Sequence, residues 1–112
     1  MDCIFCKILK GEIPSKKAYE DDFVLGFYDI EPQAPTHIVL IPKEHINSPA
    51  DITSENSAYV AHIFEAAAKI AKELNLGNGY RLVANCGEEG GQTVKHLHVH
   101  MLAGRNLSWP PG

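Results

Sequence analysis

Three imidazoles recur at every second position late in the chain: His96, His98 and His100 of VKHLHVHML, half of its six histidines. Side chains alternate across a strand, so an extended segment puts all three on one side, about 7 Å apart pairwise. Such a row can offer nitrogens to zinc, since His-x-His presents two donors. It can equally supply a histidine nucleophile with a neighbouring donor, or be no more than a polar sheet face. The preceding loop, GEEGGQT, bears on the choice. Gly90 and Gly91 let backbone N–H groups converge on an anion, and Gln92 and Thr93 add an amide and a hydroxyl. Loop and row together point to a phosphate held within reach of a histidine. Near the other end, Cys3-Ile4-Phe5-Cys6 has the spacing of two ligands on one zinc, a spacing that redox motifs share. Asp29 is an acid in an otherwise apolar stretch ahead of a proline loop, and its two oxygens suit a vicinal diol.

These groups need a scaffold, and 112 residues supply one domain with a core of its own. A net charge of −4 argues against a nucleic-acid backbone as partner. No apolar run approaches the ~20 residues that span a bilayer. The opening MDCIFCKILKGE carries Asp2 early and lacks an A-x-A-like cleavage site, so it does not read as a secretory leader. Three cysteines fit reduced thiols or a metal better than a disulfide framework, which places the chain in the cytoplasm.

Apolar spacing in IFCKILKGEIPS predicts one or two helical turns ended by Gly11 and Pro14. KKAYEDDFVLGFYDI reads as a hairpin turning at EDD, with EPQAPTH a loop beyond it. THIVLIP, apolar almost throughout, reads as a central strand covered on both faces and ended by Pro42. Residues 54–75 predict the one long helix. Its apolar stripe is Val60, Ile63, Phe64, Ala67, Ile70, Ala71 and Leu74, its start is capped by Thr53 or Ser54, and Gly77 takes the left-handed position past its end. GYRLVANC and KHLHVHMLA read as two last strands, with Leu97, Val99 and Met101 turned toward the long helix. The order predicts an α+β fold with a mostly antiparallel sheet.

His96-Leu97-His98-Val99-His100-Met101-Leu102 resembles the signature of the histidine triad family, in which three histidines alternate with apolar residues. The likeness runs over nearly the whole chain, through IFCKILKGEIPS, FYDIEPQAPTHIVLIPKEHI, NCGEEGGQTVKHLHVHML and GRNLSWPPG. The tail resembles the Hint, or nucleoside phosphoramidase, branch. The resemblance implies a five-stranded sheet with a long and a short helix, joined across a homodimer. It implies purine nucleotide binding and hydrolysis of nucleoside 5'-phosphoramidates through a nucleotidyl-histidine at His98, with no metal needed for the reaction. By the same likeness His100 donates to a phosphoryl oxygen or the departing group, and His37 assists on the leaving-group side. Phe5, Ile8, Phe27 and Ile30 match the base slot and Asp29 the ribose carboxylate. Asn85, Gln92 and Thr93 match phosphate-side groups, and Trp109 a tail residue that reaches the partner's site. Bacterial triad proteins that carry the cysteine pair also carry the equivalents of His45 and His96. The four would make a closed, structural zinc site. Ala103 and Ser108 depart from residues that relatives carry on the leaving-group side. Competing expectations are a dinucleotide polyphosphate hydrolase, a zinc hydrolase using all three strand histidines, and a nucleotide-binding module without turnover.

Overall fold

The computed structural model describes residues 3–112. Met1 and Asp2, the latter used above against a leader, lie outside them. A short helix α1 (Ile4–Leu9) opens the chain, followed by strands β1 (Lys17–Glu20), β2 (Val24–Tyr28) and β3 (Thr36–Pro42). A 3-10 turn (Pro49–Asp51) leads to the long helix α2 (Ala58–Glu73), and β4 (Tyr80–Val83) and β5 (Val99–Ala103) complete the fold. All pairings are antiparallel, in the spatial order β1-β2-β3-β5-β4. No helix among the described residues is long and apolar enough to cross a membrane.

The sheet's alternation separates two tasks. On one face Val24, Ile38, Leu40, Val99 and Met101 pack with Ile63, Ala66, Ala67 and Ile70 of α2. On the other, Leu25, Phe27, Val39 and Ile41 pack under Phe5, Ile8 and Leu9 of α1. THIVLIP is buried on both faces because it is the middle strand, as its near-continuous apolar run implies. Leu97 joins the face against α2, also as the alternation implies. The hairpin turns where EDD stands, with Asp21 Oδ1 accepting from the amides of Phe23 and Val24 at 2.7 and 2.8 Å.

Several boundaries differ from the sequence reading, each for a local reason. The helix starts at Ala58 rather than 54, because Thr53 and Asn56 bond one another's turn: Asn56 Oδ1 accepts from Thr53 N at 2.7 Å. Phe64 and Leu74, assigned to the buried stripe, are 54 % and 41 % exposed, and Ala66 takes the inward position instead. The left-handed residue past the helix is Asn75 (φ 56°), not Gly77, since asparagine tolerates that region better than other side chains. The last two strands are shorter than GYRLVANC and KHLHVHMLA. Their pairing begins at Leu40↔Val99 and Val83↔His100. Upstream of Val99 no strand among the described residues lies alongside, and the chain is fastened by Leu97 N donating to Ile46 O at 2.6 Å.

Candidate functional site

His98 sits just before β5, 4 % exposed, with its ring edge-on to Phe5 of α1 at 5.2 Å between centroids. Its Nδ1 donates to the carbonyl of His96 at 2.7 Å. That bond commits the ring proton to Nδ1, so a neutral His98 carries its lone pair on Nε2. The chain's own backbone thus sets the tautomer, and no carboxylate is required.

His100 lies beside it, ring centroids 5.1 Å apart, and is linked to His37 of β3. The amide of Gln33 donates to His37 Nδ1 at 3.1 Å, which leaves the His37 proton on Nε2. His37 Nε2 therefore donates to His100 Nδ1 at 2.9 Å, and the His100 proton resides on Nε2, free to donate outward. Asp29 Oδ2 lies 3.5 Å from His37 Nε2, while its Oδ1 accepts from Glu31 N at 2.8 Å. Burial pushes the imidazolium pKa of both His37 and His100 below the ordinary histidine value. At His100 the neighbouring His98 and His37 add to this, and Asp29 opposes it at both rings. With its proton held on Nε2, His100 can bind an oxyanion through that N–H, beside a His98 ring whose Nδ1 proton is committed to the His96 carbonyl.

Phe5, Ile8 and Phe27 come together on this face, Phe5 and Phe27 edge-on at 5.6 Å. Ile30, expected in the same slot, is 95 % exposed and joins no cluster. Trp109 is 83 % exposed, on a tail that Arg81 of β4 holds by donating to the carbonyls of Leu107 (2.6 Å) and Ser108 (3.0 Å). Asn85 is half-buried at the head of the 87–93 loop. In that loop Gly87 and Gly91 have φ of +74° and +83°, and a Cβ on Gly90 would collide with the Cys86 carbonyl. Glycine is thus required by the turn itself. Gln92 does not point its amide outward as expected. Its Oε1 accepts from Gly87 N at 3.0 Å and its Nε2 donates to Asn47 O and Val94 O at 2.7 and 3.0 Å. Thr93 lines an open cleft shared with Cys3, Ile4, His45 and Asn47.

The second cluster gathers Cys3, Cys6, His45 and His96, one ligand atom from each lying within 4.8 Å of the others. His96 Nε2 donates to Pro42 O at 3.0 Å and His45 Nε2 to Asn47 Oδ1 at 2.7 Å. Both Nδ1 lone pairs therefore face the sulfurs, at 3.3 Å (His96 to Cys3), 3.6 Å (His96 to Cys6) and 3.2 Å (His45 to Cys6). Ligand-to-ligand edges of about 3.5 Å are what tetrahedral zinc with two sulfurs and two nitrogens demands. The donor set fits zinc, with the outward-facing ring nitrogens already fixed by acceptors. Burial, then the adjacent Cys3 sulfur, push the Cys6 thiol up, and burial pushes His96 down. Metal capture is thus tied to thiol proton release. His96, His98 and His100 do not share a metal position among the described residues: His96 turns to the cysteines and His98 does not. The zinc-hydrolase arrangement is therefore not formed.

The sequence reading missed Asn47, Pro42 and Gln33, which fix ring protons through a side chain, a carbonyl and an amide. Only Asn47 had a legible signal, as a polar residue two positions beyond His45 in IPKEHIN.

Residues 2–108 match the family model described as "Scavenger mRNA decapping enzyme C-term binding". A solved histidine triad protein from Clostridium difficile is 54 % identical and superposes with a TM-score of 0.93, covering 96 % of this chain and 95 % of that one. A HIT family hydrolase from Legionella pneumophila is 48 % identical with a TM-score of 0.96, covering 99 % and 100 %. A 14 kDa zinc-binding protein from Zea mays is 47 % identical over 111 residues, 97 % of this chain and 87 % of its own length.

Proposed function

The chain belongs to the histidine triad family, and from that premise we propose that it hydrolyses purine nucleoside 5'-phosphoramidates to the nucleoside monophosphate and an amine. The observation that carries the reading is the His98 ring, whose Nδ1 proton is committed to the His96 carbonyl while Nε2 is left as a lone pair. That nitrogen attacks the α-phosphorus, a P–N bond to His98 forms, and the bond to the amine breaks. The amine leaves with the bonding pair and a proton from solvent. Water then attacks phosphorus, the P–Nε2 bond breaks with its pair returning to the imidazole, and the proton goes back to solvent. His100 Nε2–H, held in that tautomer by His37, donates to a phosphoryl oxygen as charge builds. Phe5, Ile8 and Phe27 form the apolar bed for the base, and Asp29 accepts from the ribose hydroxyls. Asn85, the 87–93 loop and Thr93 serve the phosphate, Gln92 by shaping that loop. Trp109, exposed on its tethered tail, serves the active site of a partner in a homodimer.

Cys3, Cys6, His45 and His96 would hold zinc in a closed site, where it supplies structural cross-linking and no part of the reaction. The resemblance of this chain to a zinc-binding relative supports that reading. The protein acts in the cytoplasm. The test is hydrolysis of adenosine 5'-phosphoramidate by the zinc-loaded protein and by His98→Ala, which should still bind adenosine monophosphate but lose turnover. The description of the matching family model names a decapping enzyme, which favours a second reading in which a nucleotide rather than an amine departs. Faster cleavage of a dinucleoside polyphosphate than of the phosphoramidate would select it.

A further inference from the structure

We propose that Asn47 and Gln92 form a strut through which the Cys3–Cys6–His45–His96 centre sets the shape of the 87–94 loop, and through it turnover at His98. The turnover half rests on the function proposed above; the strut does not. The chain of contacts is continuous. His45 turns Nδ1 toward Cys6 and donates from Nε2 to Asn47 Oδ1 at 2.7 Å. The carbonyl of the same Asn47 accepts from Gln92 Nε2 at 2.7 Å, across 45 positions of sequence. Gln92 then closes its loop, Oε1 accepting from Gly87 N and Nε2 donating to Val94 O, both at 3.0 Å.

What makes this a strut is the scarcity of other ties. The remaining described hydrogen bonds of residues 86–93 stay inside the turn: Gly91 N to Glu88 O and Gln92 N to Gly87 O, both 3.0 Å. Among the described residues, Gln92 to Asn47 is the one hydrogen bond that fastens this exposed, glycine-rich loop to the 43–47 segment. That segment in turn carries His45, whose ring is fixed by Asn47 on one side and the cysteine centre on the other. His98 is less exposed to the same change. The ring of His96 keeps its own tie to Pro42 O, and Leu97 N keeps its bond to Ile46 O. A metal held by the four ligands would lock the His45 ring and so the Asn47 side chain and carbonyl. Asn47 and Gln92 are accordingly positioning residues, acting through the loop rather than on substrate.

Hydrogen exchange of the full-length protein, zinc-loaded and after chelation, tests the strut on wild type, Asn47→Ala and Asn47→Asp. Asn47→Ala removes the acceptor for His45 but keeps the backbone carbonyl; Asn47→Asp restores an acceptor. In the zinc-loaded Asn47→Ala protein the amides of Gly87, Gly91 and Gln92 should exchange about tenfold faster than in wild type, the effect of losing one net hydrogen bond. Amides of β3 should be unchanged, and Asn47→Asp should restore most of the protection. Chelation should produce the same acceleration in wild type and add little in Asn47→Ala. Unchanged loop exchange in zinc-loaded Asn47→Ala, or a full response to chelation in that variant, overturns the strut. Hydrolysis of adenosine 5'-phosphoramidate, measured in parallel, should fall severalfold in kcat with Asn47→Ala and recover with Asn47→Asp. Faster exchange with unaltered kcat overturns the link to turnover alone. Absence of hydrolysis by wild type overturns the proposed function, and the strut is then judged on exchange.

Discussion

Replacing His37 should expose how much of the chemistry depends on the tautomer of His100. In the folded protein His37 Nε2 donates to His100 Nδ1 at 2.9 Å, and Gln33 N holds the opposite nitrogen of His37 at 3.1 Å. His37→Ala deletes the donor and leaves His100 Nδ1 either unpaired or free to take the proton. In the second case Nε2 becomes an acceptor facing a phosphoryl oxygen, and one donor to the developing charge is lost. An unmade buried hydrogen bond costs about 1–3 kcal/mol, and removal of one oxyanion donor costs ~10²–10³ in kcat. Because the tautomer can still fluctuate to the productive form, the expected loss lies near the lower of these, about 10- to 100-fold in kcat with little change in KM. His37→Gln places an amide nitrogen close to where Nε2 stood, so it should recover part of the loss. Steady-state hydrolysis of adenosine 5'-phosphoramidate at pH 7.5 measures this. A kcat within threefold of wild type for His37→Ala, in a protein that melts normally, would refute the tautomer argument.

Asp29→Asn should erase discrimination between ribose and 2'-deoxyribose substrates. It should also shift the acid limb of the kcat profile to lower pH, because the Asp29 carboxylate opposes the burial that depresses His37 and His100; competition kinetics across pH 4.5–7.5 check both. Those two histidines also make stability depend on pH. Their folded pKa values lie below the unfolded one, so the unfolded chain binds more protons in the window beneath about 6.5. Their contribution should be complete above that value and lost as pH falls through the depressed folded pKa values, seen as a falling urea midpoint. Chelation or Cys6→Ser should lower the melting temperature, followed by calorimetry with and without added zinc. Met101→Ala, at a fully buried position between sheet and α2, should cost about 2–5 kcal/mol in urea unfolding while leaving the nucleotide KM intact.

The fold was legible wherever period and burial coincide. Alternation in VKHLHVHML separates Leu97, Val99 and Met101 from the histidines, and THIVLIP declares a strand with two covered faces. Element ends were harder, since they depend on partners. β5 starts only where β3 and β4 begin to pair with it, and α2 starts where Thr53 and Asn56 stop bonding each other. The cysteine–histidine cluster of Cys3, Cys6, His45 and His96 follows from residue types read against a family likeness. The Gln92 brace could not be read that way, because an amide ahead of a histidine row looks the same whether it faces a phosphate or folds back onto Asn47. Ile30 shows the reverse: an isoleucine beside Asp29 looks like pocket wall, yet it is 95 % exposed in the single chain.

The central claim is that His98 Nε2 forms a bond to phosphorus. Rapid acid-free quench of the zinc-loaded protein during turnover of adenosine 5'-phosphoramidate, followed by peptide mass mapping, reads that bond directly. The account requires an adenylyl group on the peptide containing His98, formed and lost at rates compatible with kcat, and absent from His98→Ala. Steady turnover with no adduct on that peptide, or an adduct on His96 or His100 instead, would contradict it.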